Sequence, residues 1–226
     1  MENKSNQTYG FVRLDGFMAD DISVVNSARV SFAKSSEHMD ASAVGLINFL
    51  MRERHGTPFE HNSFRFHIKC PIFVAREWFR HRIGSFNEFS ARYSEVPNEF
   101  FSPLLEDVRK QTGKPGSYTF EKMDLSDAEK AKKIIEENNI SAYNSYLELL
   151  EMGVAKELAR SVLPVSMYTQ FYWTVNARAL MNFLSLRTAE SAQVDIRKCA
   201  KEVERIFESQ MPITHEAWIK NGRIAP

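Results

Sequence analysis

Residues 76–95 read REWFRHRIGSFNEFSARYSE and hold four arginines and one histidine but no lysine. The triplet Arg80-His81-Arg82 stands at the end of a helix predicted over 72–82, and short polar residues follow it on an irregular segment, 83–91. A guanidinium group is a rigid fork of donors that binds phosphate or carboxylate through two hydrogen bonds. The stretch therefore predicts a pocket for a polar, phosphorylated ligand.

A purely structural interpretation of the same stretch is also open. Cationic side chains at the end of a helix stabilise it through the helix dipole. The arginines could instead pair with Glu77, Glu88 and Glu95, while Trp78 and Phe79 fill a core. Composition alone does not decide between these two interpretations.

The order of the residues is more specific than their composition. Arg80-His81-Arg82-x-x-Ser85-x-x-x-x-Ser90-x-Arg92 resembles the signature RHRxxSxxxxSxR of flavin-dependent thymidylate synthases. The resemblance spans roughly residues 20 to 220 and is weakest at 105–126. Four further segments resemble the family: ARVSF at 28–32, HGTPFEH at 55–61, ELARSVLP at 157–164 and WTVNARALMNFLSLR at 173–187.

The resemblance implies an enzyme that reductively methylates dUMP to dTMP. It implies FAD as cofactor, NADPH as its reductant and 5,10-methylenetetrahydrofolate, a folate, as carbon donor. It also implies activation of the uracil without a protein nucleophile, and a homotetramer whose sites are shared between subunits. The alternative is an FAD-dependent enzyme that acts on a different pyrimidine nucleotide.

The resemblance also implies which residues contact the ligands. The expected FAD contacts are Ser31, His55, Thr57, Glu60, Arg80, His81, Arg82, Glu88, Asn176, Arg178 and Asn182. The expected dUMP contacts are Glu77, Trp78, Phe79, Arg80, Glu88, Phe89, Ser90, Ala91, Arg92, Arg160 and Arg187.

Arg187 is the expected catalytic residue, because it resembles the family's arginine that is held against the uracil. It ends an apolar helical stripe, where burial without a partner would be costly. Taken alone, it could equally be an arginine of the last helical turn that reaches solvent along its own stem. Beside the matched motif, we expect it to stabilise negative charge on the pyrimidine.

Three positions depart from the family pattern. Glu77 stands where the family often has glutamine, and a carboxylate there needs an arginine to neutralise it beside a phosphate. Ala91 replaces a frequent glycine, which matters only where the backbone needs a positive φ. Ser191 stands where many relatives have histidine, before Ala192-Gln193.

Composition is ordinary for a soluble protein. The chain has 226 residues with 29 basic and 29 acidic side chains. This balance argues against a nucleic-acid-binding module. The polar start, 1–10, and the lack of a long apolar run predict no signal peptide and no membrane contact, hence a cytoplasmic protein.

Neither a cysteine nor a metal ion is expected to take part in the reaction. The two cysteines, Cys70 and Cys199, lie in no paired motif and beside no base, which predicts neither a disulfide nor a nucleophile. His55, His61 and His67 are evenly spaced, but no carboxylate or cysteine accompanies them at ligand spacing, so we expect no metal site.

Periodicity predicts alternating helices and strands without a βαβ rhythm. That pattern favours an α+β fold with an antiparallel or mixed sheet and flanking helices. The resemblance makes this the thymidylate-synthase-complementing fold, an obligate oligomer, with one domain over 1–226 and an exposed excursion at 105–126. The predicted helices are 20–32, 40–54, 72–82, 127–152, 154–163, 176–188 and 193–210 with a short terminal helix, and the strands are 62–70, 92–104 and 165–175.

Overall fold

The structure, a computed structural model, describes residues 10–226. Its strands are β1 (Phe11–Met18), β2 (Ser63–Pro71), β3 (Ser85–Glu88), β4 (Arg109–Lys114), β5 (Ser117–Lys122) and β6 (Tyr168–Asn176). Its helices are α1 (Asp21–Arg29), α2 (Ala41–Arg52), α3 (Thr57–Glu60), α4 (Ile72–Trp78), α5 (Leu125–Glu151), α6 (Lys156–Ala159), α7 (Ala177–Arg187), α8 (Val194–Gln210) and α9 (Pro212–Lys220).

Four strands form a sheet in the order β1-β2-β6-β3. β3 runs antiparallel to β6, with Ser85 opposite Thr174 and Glu88 opposite Phe171. β4 and β5 form a separate two-stranded antiparallel sheet. The mixture of helices with antiparallel pairing confirms the predicted α+β class.

Local sequence accounts for several element boundaries. The Asp40 side chain accepts a hydrogen bond from the backbone N–H of Ala43 at 2.7 Å, which confirms it as the N-cap of α2. On the predicted strand 62–70, the alternating residues Phe64, Phe66 and Ile68 are all fully buried. A side chain every second residue points to the same face of a strand, so this face packs into the core.

The described chain divides into two compact units. The first unit contains Gly10, Lys69–Ala75 and Phe89–Thr169, and the second contains Phe11–Ile68, Arg76–Glu88 and Gln170–Pro226. The two units interleave along the sequence, and the single domain over 1–226 stays a prediction.

An aromatic cluster forms the core of the second unit. The ring of Trp78 stacks on Phe183 with centroids 4.8 Å apart and meets Trp173 edge-on at 5.4 Å. All three side chains are fully buried. The cluster fixes the end of α4 against β6 and α7, three elements that each carry predicted site residues.

In the first unit, the core forms around α5. Tyr146 is fully buried, and its hydroxyl accepts a hydrogen bond from the backbone N–H of Val96 at 3.1 Å. Asn139, also buried, donates to the carbonyl of Phe101 at 3.1 Å. These two bonds tie the irregular chain before the hairpin to α5.

Two predictions of secondary structure were wrong. The segment 83–91, predicted to be irregular, contains β3, because pairing with β6 and the contact between Phe86 and Phe171 stabilise extended backbone that polar composition does not signal. The segment 92–104, predicted to be a strand, holds only an isolated bridge at Phe100, because Pro97 and Pro103 interrupt pairing and Phe100 packs on Tyr143 of α5 instead.

Smaller differences concern short elements. β1 was not anticipated, and α3 lies where the sequence indicated only a break. The predicted helix 154–163 is one α-helical turn followed by a 3₁₀ turn, Arg160–Val162. The excursion 105–126 forms the exposed hairpin β4–β5, in which Gly116 adopts a positive φ, 85°, that glycine tolerates without strain.

Among residues 10–226, none of the helices is both long enough and apolar enough to cross a bilayer. The same residues contain no group of three His, Cys, Asp or Glu side chains placed to hold a metal ion.

Candidate active site

A cavity of about 870 Å³ opens in the second unit. This volume lies within the range typical of small-molecule and cofactor sites. Nine residues with expected ligand contacts line it: Glu60, Glu77, Arg80, His81, Arg82, Asn176, Arg178, Asn182 and Arg187. The fold thus gathers residues that the sequence separates by more than a hundred positions.

Arg187 is held by two residues of the segment that follows β2. Its Nη1 donates to Glu77 Oε2 at 2.8 Å, and its Nη2 donates to the Glu77 carbonyl at 3.2 Å. Its Nε donates to Nε2 of His81 at 3.0 Å. The side chain is 21% exposed, so the guanidinium is partly desolvated and its charge acts more strongly than in water.

The bond from Arg187 fixes the protonation state of His81. An arginine Nε carries only a donor, so Nε2 of His81 must accept and the ring must be neutral, with its proton on Nδ1. Burial, and then the charge of Arg187, lower the pKa of His81 to about 4. His81 is therefore a neutral acceptor at physiological pH, directed at Arg187.

Glu77 lies in a mixed electrostatic environment. Burial raises the pKa of its carboxyl, Arg187 lowers it, and Asp195 at the start of α8 raises it again. The net direction is upward. The two charged groups of Glu77 and Arg187 lie 2.8 Å apart, and both side chains are mostly shielded from solvent.

Arg178, on the first turn of α7, is also held by several groups. Its Nη1 contacts Glu60 Oε1 at 2.6 Å, and its Nε donates to the Pro226 carbonyl at 2.6 Å. A Cβ added to Gly56 would overlap this guanidinium, so glycine leaves room for the side chain of Arg178. The arrangement orients one more guanidinium at the cavity wall.

The N-terminal end of α7 lines the same cavity through Asn176, Arg178 and Ala179. Asn176 caps the helix, since its side-chain oxygen accepts from the N–H of Ala179 at 2.9 Å. Backbone N–H groups at a helix N-terminus favour anions. Together with the arginines, this end of the cavity suits a phosphorylated ligand.

Four expected FAD contacts of the second unit, Glu88 among them, do not line the cavity. Ser31 lies in the 3₁₀ turn Val30–Phe32, His55 lies beside the ring of Phe49, and Thr57 begins α3. All three side chains are exposed. Their contacts with FAD stay predictions, as does that of Glu88, the last residue of β3.

Two expected nucleotide contacts in the second unit use aromatic residues whose rings face the core. Trp78 is fully buried, and Phe79 packs edge-on against Phe86 and Phe171. Any contact of Trp78 with the nucleotide therefore falls to its main chain. The structural interpretation of these two rings as core is confirmed, while the neighbouring Arg80 lines the cavity.

Glu88, also an expected nucleotide contact, belongs to the second unit, and the remaining ones lie in the first unit. The N–H of Arg92 donates to Ser90 Oγ at 3.3 Å, and its guanidinium lies 3.3 Å from Glu157. Arg160 is exposed, and its Nε donates to the Glu157 carbonyl at 3.4 Å. Ala91 and Phe89 pack in the hydrophobic cluster of this unit. Both arginines thus contact Glu157, Arg92 through its carboxylate and Arg160 through its main-chain carbonyl.

Neither cysteine is placed for nucleophilic attack. Both are buried. Burial, followed by the charges of Asp195 and Glu202, raises the pKa of Cys199 to about 12. A thiol needs its thiolate form to attack, so Cys199 is unreactive at physiological pH.

Sequence reasoning missed part of the cavity wall. Ile83, Ala179, Leu186, Ala225 and Pro226 also line it. Ile83 and Ala179 adjoin residues that match the family, so their place at the cavity could have been predicted from the sequence. The Pro226 carbonyl lies far from any motif, and only the tertiary structure reveals its bond to Arg178.

Comparison with known proteins bears directly on this arrangement. The family model described as thymidylate synthase complementing protein matches residues 14–213. A flavin-dependent thymidylate synthase of Thermosipho africanus is 50% identical over 93% of this chain and 91% of its own length. One from Tropheryma whipplei is 46% identical over 95% of this chain and 94% of its own.

Solved structures agree in fold as well as in sequence. The UMP/dUMP methylase PolB of Streptomyces cacaoi, bound with 5-Br UMP, superposes with a TM-score of 0.89 at 43% identity and covers 96% of both chains. Its structure bound with 5-Br dUMP gives the same TM-score and identity. With the signature arginines gathered at one cavity and the similarity extending over nearly the whole chain, the chain belongs to the thymidylate synthase complementing protein family of flavin-dependent thymidylate synthases.

Proposed function

We propose that the chain methylates dUMP to dTMP, with FAD as cofactor, NADPH as reductant and 5,10-methylenetetrahydrofolate as carbon donor. The observation that carries the proposal is the cavity of the second unit, where Arg80, Arg82, Arg178 and Arg187 meet His81. Guanidinium groups bind phosphate oxygens in pairs of hydrogen bonds. The family to which the chain belongs supports a flavin as the ligand of this cavity.

The residues present fit FAD. Arg82, Arg178 and the N-terminal end of α7 would hold its pyrophosphate, because they combine charge with oriented donors. Asn182 lies on α7 one turn beyond Arg178 and adds an amide that can donate and accept. The chemistry that FAD supplies when bound is hydride transfer, while the protein contributes orientation and electrostatics.

Arg187 would activate the pyrimidine. Glu77 and His81 fix the plane of its guanidinium. A donor that is oriented before reaction stabilises developing negative charge without the cost of reorganisation. The buried, protonated Cys199 supports a route that uses no cysteine nucleophile.

A second candidate is methylation of UMP, which is a case of the different pyrimidine nucleotide left open by the sequence. The observation in its favour is the similarity to PolB, which is named as a methylase of both UMP and dUMP. The two nucleotides differ in one ribose hydroxyl group.

Tritium release from C5-labelled nucleotide tests both candidates. Enzyme, FAD, NADPH and 5,10-methylenetetrahydrofolate are incubated with labelled dUMP or with labelled UMP at equal concentration. We expect release with dUMP that depends on folate and on NADPH. Turnover of UMP with dUMP inert would establish the second candidate, and protein that takes up no FAD would contradict both.

We also propose a homotetramer with sites shared between subunits. The support comes from apolar side chains that are exposed beside expected FAD contacts. Val30 and Phe32, on either side of Ser31, are 69% and 77% exposed, and Ile83 at the cavity is 72% exposed. Apolar side chains that are exposed side by side form patches of the kind that mark association surfaces. Light scattering should give four subunits, and a monomer at assay concentration would contradict the proposal. A cytoplasmic location, without nucleic acid or membrane as partner, stays a prediction.

A further inference from the structure

The contacts of Arg187 divide its five N–H bonds into two groups. Three are used, two by Glu77 and one by His81. Within residues 10–226, the other two, on Nη1 and Nη2, have no partner. The guanidinium plane is therefore set by the protein, while two donors remain for a ligand at the cavity that Arg187 lines.

Glu77 restrains Arg187 through two different groups. Its carboxylate and its main-chain carbonyl contact different nitrogens of Arg187, which fixes the orientation of the plane as well as its position. The carboxylate also cancels the charge of Arg187. The charged and titratable groups that act on Glu77 are Arg187 on α7 and Asp195 on α8, while His81 contacts the same arginine.

Charge cancellation has a consequence for nucleotide binding. An arginine without a carboxylate partner attracts a phosphate dianion far more strongly than a pyrimidine carbonyl. An arginine paired with a carboxylate keeps its directional donors but loses most of its long-range attraction. Such an arginine can donate hydrogen bonds to a ring that becomes charged only during the reaction.

We propose that Glu77 is a positioning residue that acts through Arg187, reserving this guanidinium for the pyrimidine ring and withholding it from the nucleotide phosphate. The proposal rests on the proposed function, in which Arg187 faces the ring. It differs from the direct contact between Glu77 and the nucleotide that the resemblance implies. It also gives a role to the carboxylate that departs from the family's usual glutamine.

A double-mutant cycle separates an effect through Arg187 from a direct one. The variants are E77A, E77Q, R187A and E77A/R187A, studied as FAD-loaded protein. Glu216→Gln is the matched control, because Glu216 pairs with Lys220 on the surface of the same unit. The readouts are kcat, KM and the equilibrium affinity for dUMP at two salt concentrations.

We expect E77A to lower kcat by about 10- to 100-fold, because a misplaced catalytic group loses most of its effect. The affinity for dUMP should rise several-fold, and more at low salt, because the freed charge attracts the phosphate. E77Q should show the same rise in affinity with a smaller loss of kcat, since its amide oxygen can still accept from Nη1. When E77A is added to the R187A variant, neither kcat nor the affinity for dUMP should change further.

Two outcomes would overturn the proposal. Weaker dUMP binding in both E77A and E77Q, at unchanged flavin content, would indicate a direct contact with the nucleotide. Losses from E77A and R187A that simply multiply in the double variant would show independent action. Failure of the proposed function is distinguishable, because it appears as absence of dUMP turnover in the wild type, whereas the affinity cycle needs no turnover.

Discussion

Arg187 in the second unit and Arg92 in the first are both expected to contact the nucleotide, yet the structure holds them differently. Arg187 makes three hydrogen bonds and is 21% exposed. The Arg92 guanidinium has one ion pair, to Glu157 at 3.3 Å, and its side chain is 53% exposed. An exposed pair of this kind contributes little to stability. The protein itself thus orients Arg187, whereas the contact that holds Arg92 is exposed to solvent.

This contrast assigns different kinetic roles. A group that is fixed in advance contributes most in the transition state and therefore affects kcat. A solvated cation that meets a phosphate contributes to the bound ground state as much as to the transition state, and therefore affects KM. The four experiments that follow test this division.

Replacing Arg187 should have the largest effect. Arg187→Ala should lower kcat by about 100- to 1000-fold, as does the loss of other oriented charge-stabilising donors. FAD should stay bound and NADPH should still reduce it. Stopped-flow measurement of the two half-reactions, with dUMP saturating, checks this.

Arg187→Lys should restore little of the kcat that Arg187→Ala loses, because an ammonium group cannot reproduce three contacts in one plane. Arg205→Ala is the matched control, since Arg205 is a surface residue of α8 whose ion-pair partner within residues 10–226 is Glu202. An oxidative half-reaction within a few-fold of wild type in Arg187→Ala would give the activating role to another residue, such as Arg92 or Arg160.

Replacing the exposed arginines should act mainly on binding. Arg92→Ala and Arg160→Ala should each raise KM for dUMP by about 10-fold, with kcat nearly unchanged, because a charge-assisted bond is worth roughly 1.5–3 kcal/mol. The affinity for dUMP should also become less dependent on salt. Steady-state kinetics and binding titrations at several salt concentrations provide the measurement. A large loss of kcat at constant KM would contradict the contrast with Arg187.

The ring of His81 should stay neutral at pH values well below the ordinary pKa of a histidine. Burial and then Arg187 lower the pKa of His81 to about 4, against 6.5 for an unperturbed ring. In that pH window the folded state binds fewer protons than the unfolded state, so the contribution of His81 to stability falls as pH drops from 6.5 to 4. Nuclear magnetic resonance titration of the ring checks the pKa directly. In Arg187→Ala the pKa should rise, and a value of 6.5 in wild type would contradict the expected shift.

Replacing Ser90 should have the smallest effect. Its hydroxyl accepts the N–H of Arg92 and so shapes the turn that carries this arginine. A serine nucleophile would need an adjacent base. Ser90→Ala should therefore raise KM a few-fold and leave activity measurable. A trapped covalent adduct on Ser90, detected by mass spectrometry, would disprove this role.

The signature stretch is visible in the sequence itself. The α+β class and the buried face of β2 were predicted from local sequence patterns. Hydrophobic alternation at Phe64, Phe66 and Ile68 is a property of neighbouring residues, and the same holds for the cap at Asp40. The order of residues 80–92 carried the resemblance because fixed spacing survives without knowledge of the fold. These features needed no long-range contact.

What the tertiary structure alone decided is how the arginines are held. The partners of Arg187 lie 106 and 110 residues away, and neither periodicity nor composition reveals such a pairing. The strand β3 formed for the same reason, since pairing with β6 provides the hydrogen bonds that its polar sequence does not signal. Sequence therefore determined which groups are available for the chemistry. Burial and distant partners determined that His81 is neutral, that the charge of Arg187 is compensated and that its guanidinium is oriented.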